Sequence, residues 1–257
     1  MVSAVVEASA AAAREGASDM ARMTLEELVS QLRKAWGDAL RAVVLYGSAA
    51  AGEHIRARSD YNVLVIADAI TSQHLRAAGA VAAAWAESGN PPPLTLTTSE
   101  WRSSADIFPM EYADILDRHR VLYGDPPFDG IRVSPHDLRL ELEEQAMGKV
   151  LRLRQGIMAA HGDGRLQLEL LEASLSTVMV IFRAALRLHG ATPSTDNEAL
   201  SRDIAGRAGF PAEPFVRVVR HVRGEEKIGR AEAGNVLEGY LSGMERLVAH
   251  LDRFSGV

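Results

Sequence analysis

The 257-residue sequence contains no cysteine. Disulfides, a thiolate nucleophile and thiolate metal ligation are therefore excluded, and the composition goes with a reducing cytoplasm. No apolar run approaches the roughly 18 residues of a membrane span. An excess of positive charge is missing too: 28 Lys and Arg stand against 34 Asp and Glu, for a formal net charge of −6. That balance disfavours bulk attraction to nucleic acid or an anionic membrane. Gly-x-Ser-x-Gly is absent, which removes a simple hydrolase reading. The eight histidines are scattered with no two at an i, i+4 ligand spacing, so no zinc site is assigned. The N-terminal MVSAVVEASAAAAREG lacks a basic start and carries Glu7 within its weak apolar run. It reads as a fraying or disordered leader over residues 1–20, not as a signal peptide.

What is present divides into two textures. Thr24, with Glu27 three residues on, has the spacing of a capping box, and Leu25, Leu28, Val29, Leu32 and Trp36 follow at helical spacing. Short apolar runs at Arg41–Tyr46, Tyr61–Ile66 and Leu94–Thr98 predict strands, with an Ala-rich helix over residues 67–86 between the second and third. Ser99 or Ser103 is expected to start a short helix, and Arg118–Tyr123 to form a fourth, edge-like strand. Beyond Ile131 the pattern is helical throughout: Pro135–His161, Leu166–His189, Glu198–Ala208, Pro211–Val222 and about Ala231–Phe254. The expected class is α+β, a small mixed-sheet domain over residues 21–130 followed by an all-α bundle over 131–257. Trp36, Trp85 and Trp101 are expected in cores or at the domain junction.

The chemistry centres on residues 43–66, VVLYGSAAAGEHIRARSDYNVLVI. Gly47 after a buried strand lets the backbone approach a ligand without a Cβ in the way. Amides beyond it, with the Ser48 hydroxyl, suit a phosphate. Eleven residues separate Ser48 from Asp60. Period-two geometry then puts Asp60 and Asn62 on one face of the next strand. Strand, Gly-Ser, a loop of this length and an acidic strand resemble the nucleotidyltransferase superfamily, of DNA polymerase β-like fold, over about Leu25–Tyr123. The helical second half is similar to that of antibiotic nucleotidyltransferases. FPMEYADILDRHRVLYGDPPF, followed by DLRLELEEQAMGKVLRLRQG, resembles uncharacterised bacterial nucleotidyltransferase-domain proteins more closely. The resemblance implies that Ser48 helps hold a triphosphate. It further implies that an acidic pair at positions 60 and 62, with a third carboxylate from a nearby strand, binds two Mg²⁺ ions for transfer of a nucleotidyl group to a hydroxyl.

This sequence departs from that pattern. Position 62 is Asn, an amide without net charge, and the strand Leu94–Thr98 offers Thr95 and Thr97 in place of a carboxylate. Glu100 and Asp106 are the available stand-ins. Ala51 stands where many relatives have Arg, which leaves Arg56 and Arg58 to reach phosphates or to serve as solvated loop charges. Glu172, on the most apolar helix, is the candidate general base if burial raises its pKa; an exposed Glu paired with a cation is the plainer reading. Arg139, Lys149, Arg152 and Arg154 give one helix a basic side, for phosphate or for pairing with Glu at helical spacing. Three readings follow. The first is a degenerate member that binds a nucleotide or polyphosphate at Gly47-Ser48 with little or no catalysis. The second is an active enzyme using Mg²⁺ and a nucleoside triphosphate on an unidentified acceptor hydroxyl. The third is an interaction protein, such as a homodimer through its long apolar helices.

Overall fold

The computed structural model describes residues 23–47, 49–50 and 61–254. The expected leader over residues 1–20, Ser48, Ala51, Arg56, Arg58 and Asp60 lie outside the described residues. The first helix, α1 (Leu25–Trp36), is capped as its sequence predicts: Thr24 Oγ1 accepts from the Glu27 amide at 3.2 Å and Glu27 Oε2 accepts from the Thr24 amide at 2.8 Å. Gly37, at φ 53°, ends it, and a 3₁₀ turn over Gly37–Ala39 leads into β1 (Leu40–Tyr46). Then come β2 (Asn62–Ala67), α2 (Ser72–Glu87), β3 (Leu94–Thr97), α3 (Thr98–Ser103), α4 (Pro109–Asp117) and β4 (His119–Gly124). The predicted helix at 67–86 begins later, because Thr71 caps it by accepting from the His74 amide.

The four strands form one mixed sheet in the order β3-β2-β1-β4. β1 runs antiparallel to both neighbours, and β2 pairs parallel with β3. Val43, Leu45, Val63 and Val65 face a core shared with Leu28, Leu32 and Trp36 of α1 and Val81 and Trp85 of α2. Ala42, Val44, Leu64 and Ile66 alternate to the other face and are fully buried as well. Burial on both faces is why β1 and β2 read as continuous apolar runs without alternation.

The described residues fall into two units, one reaching Ile107 and including Glu111–Arg132, the other Phe108–Met110 with Val133 onward. The second is helical: α5 (Pro135–Ala160), α6 (Gly164–Leu188), α7 (Asn197–Ala208), α8 (Glu213–Arg223) and α9 (Ala233–Asp252). Its core is centred on α6, whose Val178, Ile181, Phe182 and Ala185 are almost wholly buried. Among the described residues no helix is long and apolar enough to cross a membrane.

One polar contact in this bundle couples stability to pH. His189 at the end of α6 meets His250 of α9 with their Nε2 atoms 3.0 Å apart, so one ring donates and the other accepts. Partial burial lowers the pKa of both; His189 is lowered further by His250 and Arg207, against an opposing effect of Asp203, and His250 by Arg253. The native state thus binds fewer protons than the unfolded chain below the unfolded histidine pKa of about 6.5. The stabilisation is whole above that pH and is lost as pH falls through it. Thermal melts between pH 7.5 and 5.5 should show a declining Tm, and His250→Phe should flatten the decline.

Candidate functional site

The register of the sheet places Tyr46 of β1 opposite Asn62 of β2 and opposite His119 of β4. The end of β1, the start of β2 and the start of β4 therefore share one edge. Gly47 follows immediately, at φ 77°, a conformation that favours glycine. Its amide donates to the Arg118 carbonyl at 3.2 Å, and its carbonyl accepts from the Ala50 amide at 3.2 Å. A Cβ at Gly47 would stand 3.5 Å from Asn62 Nδ2 and 4.0 Å from Asp114 Oδ2. The half-buried Asn62 side-chain amide, which carries both a donor and an acceptor, thus lies beside the turn. The entry to β2 is held by Asn90, whose Oδ1 accepts from the Tyr61 amide at 2.9 Å.

Helix α4 was not foreseen from the sequence, and it carries the carboxylates nearest this edge. Arg118 Nη2 donates to Asp114 Oδ1 at 3.0 Å and Oδ2 at 3.1 Å, with the two side chains only 8% and 13% exposed. Tyr46 feels both acids of this helix: its hydroxyl pKa is raised first by burial and then by the negative charges of Glu111 and Asp114. The sequence held the signals for α4, with Pro109 at the first helical position, Glu111 in the first turn, and Tyr112 and Ile115 buried three apart.

The proposed stand-ins for a third carboxylate do not reach this edge. β3 runs parallel to β2 with Leu94 beside Leu64 and Thr97 beside Ala67, so Glu100 lies past the opposite end of the sheet. There its Oε2 accepts from the Thr97 amide at 2.7 Å, closing the capping box of α3. Asp106 is exposed in the turn beyond α3. Glu172 is not buried as the base reading needs: it lies on α6 with its side chain 46% exposed and accepts from His221 Nε2 at 2.9 Å. The His221 Nδ1 atom accepts from the Ile228 amide, which leaves Nε2 to carry the proton. Arg139 pairs with Glu143 and Arg154 with Glu245, each at 2.7 Å.

Among the described residues no group of three His, Cys, Asp or Glu side chains could hold a metal ion. Asn62 brings a neutral amide, and Asp114 is paired with Arg118. The described residues at this edge do not fit Mg²⁺, and no step is routed through it.

No protein-family model matches the chain, and no curated protein matches it. Among solved structures it is similar to spectinomycin adenyltransferase AAD(9) from Enterococcus faecialis, determined with ATP and spectinomycin. The TM-score is 0.56 at 12% identity, over 88% of this chain and 97% of that one. The likeness is one of fold. The chain shares the fold of that protein, a mixed sheet followed by a helical region.

In this fold the Asp114–Arg118 pair lies at the edge that carries Gly47, where the Arg118 carbonyl accepts from the Gly47 amide. Arg118→Met removes the cation that both oxygens of the buried Asp114 carboxylate accept from and should lower the unfolding free energy by about 3–5 kcal/mol. The double variant Asp114→Leu/Arg118→Met should lose less. Urea denaturation of the three proteins measures both.

Proposed function

We propose that the chain binds the polyphosphate of a nucleotide at the Gly47-Ser48 turn, with little or no nucleotidyl transfer. The observation that carries this reading is the neutral Asn62 amide beside Gly47, at the position where the resemblance calls for a carboxylate. A donor at that position matches a phosphate oxygen, whereas a carboxylate there would match a cation. The turn adds a glycine that keeps the approach open, and the fold likeness is to a protein whose structure holds ATP. In this reading Ser48 adds a hydroxyl, Arg56 and Arg58 reach the phosphates, and Asp60 is left as a single strand carboxylate. A cytoplasmic setting goes with the nucleotide and with the lack of cysteine.

A second reading, Mg²⁺-dependent transfer to a small-molecule or protein hydroxyl, is favoured by one observation: Glu111 and Asp114 both act electrostatically on Tyr46, at the edge where Gly47 lies. If Asp60 shares a site with them, the acidic complement missing from β2 and β3 is supplied from α4. Calorimetric titration with nucleoside triphosphates, with and without Mg²⁺, combined with a pyrophosphate assay, separates the two. The expected result is binding with no pyrophosphate above background. Pyrophosphate release that Asp60→Ala abolishes would establish the transferase, and no binding under either condition would sink both readings.

A further inference from the structure

Helix α5 carries a stripe of apolar side chains on the face opposite its core side. Leu140 is 50% exposed, Met147 44%, Leu151 50% and Met158 66%. Their spacings of seven, four and seven residues bring all four onto one line of the helix surface. The buried Leu138, Leu142, Ala146, Val150 and Leu153 occupy the other side. Large side chains exposed singly need no explanation, but four aligned over about 27 Å of helix do. Alongside the stripe, between α5 and α9, lies a shallow groove of about 430 Å³ lined in part by Met147, Val150, Val248 and Ala249.

We infer that this stripe is a self-association surface, on which α5 of a second copy packs antiparallel about a two-fold axis. Two features select that occupant. The first is the symmetry of the spacing. Leu140 and Met158 lie nine residues to either side of position 149, and Met147 and Leu151 two residues to either side. A second α5 running the other way about that level sets Leu140 against Met158 and Met147 against Leu151, so each exposed apolar group meets another. The second feature is charge. Glu143 and Arg154 flank the stripe on the same side, near opposite ends of it. Antiparallel packing brings Arg154 of the second copy to the level of Glu144, beside Glu143, and the dyad repeats the contact. Parallel packing would leave the two Glu143 side chains on opposite sides of the seam at one level, and the two Arg154 side chains likewise, with no Glu143–Arg154 contact between copies. Within one chain these residues are only partly buried, Glu143 with Arg139 and Arg154 with Glu245, so the second copy extends an existing network.

Sedimentation velocity of the full chain through the micromolar range tests the association. A concentration-dependent dimer is expected, and Met147→Glu/Leu151→Glu should sediment as a monomer while keeping the wild-type circular dichroism. A wild-type protein that stays monomeric throughout, or a dimer indifferent to this double variant, overturns the inference. The lack of native cysteine makes the orientation testable as well. Met147→Cys should cross-link to itself with a short bis-maleimide. Leu140→Cys should not, since its two copies stand about 27 Å apart along the antiparallel seam, but it should cross-link when mixed with Met158→Cys. Self-linking of Leu140→Cys contradicts the antiparallel arrangement.

Discussion

The antiparallel pairing of β1 with β2, in the register that sets Tyr46 against Asn62, determines where the polar groups of the candidate site can stand. β1 is buried on both faces and paired on both edges, so its end is among the most constrained points of the sheet unit. Sliding β2 by one residue would turn its apolar set to the other face and carry Asn62 away from Gly47. The same constraint reaches β4 through the pairing of Tyr46 with His119, and α4 runs directly into β4. A buried ion pair, Asp114 with Arg118, sits at that junction, and the Arg118 carbonyl holds the Gly47 amide. One strand register therefore positions the glycine turn, the asparagine and the α4 carboxylate together.

Much of this was legible in the sequence because it rests on local rules. The capping box at Thr24 and the apolar runs of β1 and β2 each follow from a few neighbouring residues. Helix α4 was harder. Nine residues give too short a window for a helical period to stand out, and its acids resemble an ordinary solvated face. Their place beside Gly47 depends on the pairing of β1 with β4, which brings together residues more than seventy positions apart. Arg118 was taken for a strand residue, whereas it forms the helix-to-strand junction. Glu172 is open to two readings in the sequence, a buried base or an exposed, paired Glu; the buried face of α6 runs through Leu171, Ser174, Leu175 and Val178, and Glu172 lies off it beside His221.

Fold and chemistry separate at position 62. The fold needs only a residue that can begin a half-buried strand, and Asn does so. Chemistry that gathers cations is served best by a negatively charged acceptor there, and the amide is neutral. The structural likeness to an adenyltransferase does not bridge that difference, because a shared fold carries many functions and the site decides among them.

The central claim is that this turn takes phosphate through donors, without a cation to mediate. Isothermal titration with inorganic tripolyphosphate in excess EDTA, on the wild type and on Asn62→Asp, tests it most directly. The account predicts binding by the wild type and a loss of at least about tenfold, or about 1.4 kcal/mol, in the variant, whose carboxylate would repel the anion. Wild-type binding that appears only when Mg²⁺ is restored, or an affinity unchanged by Asn62→Asp, would contradict it.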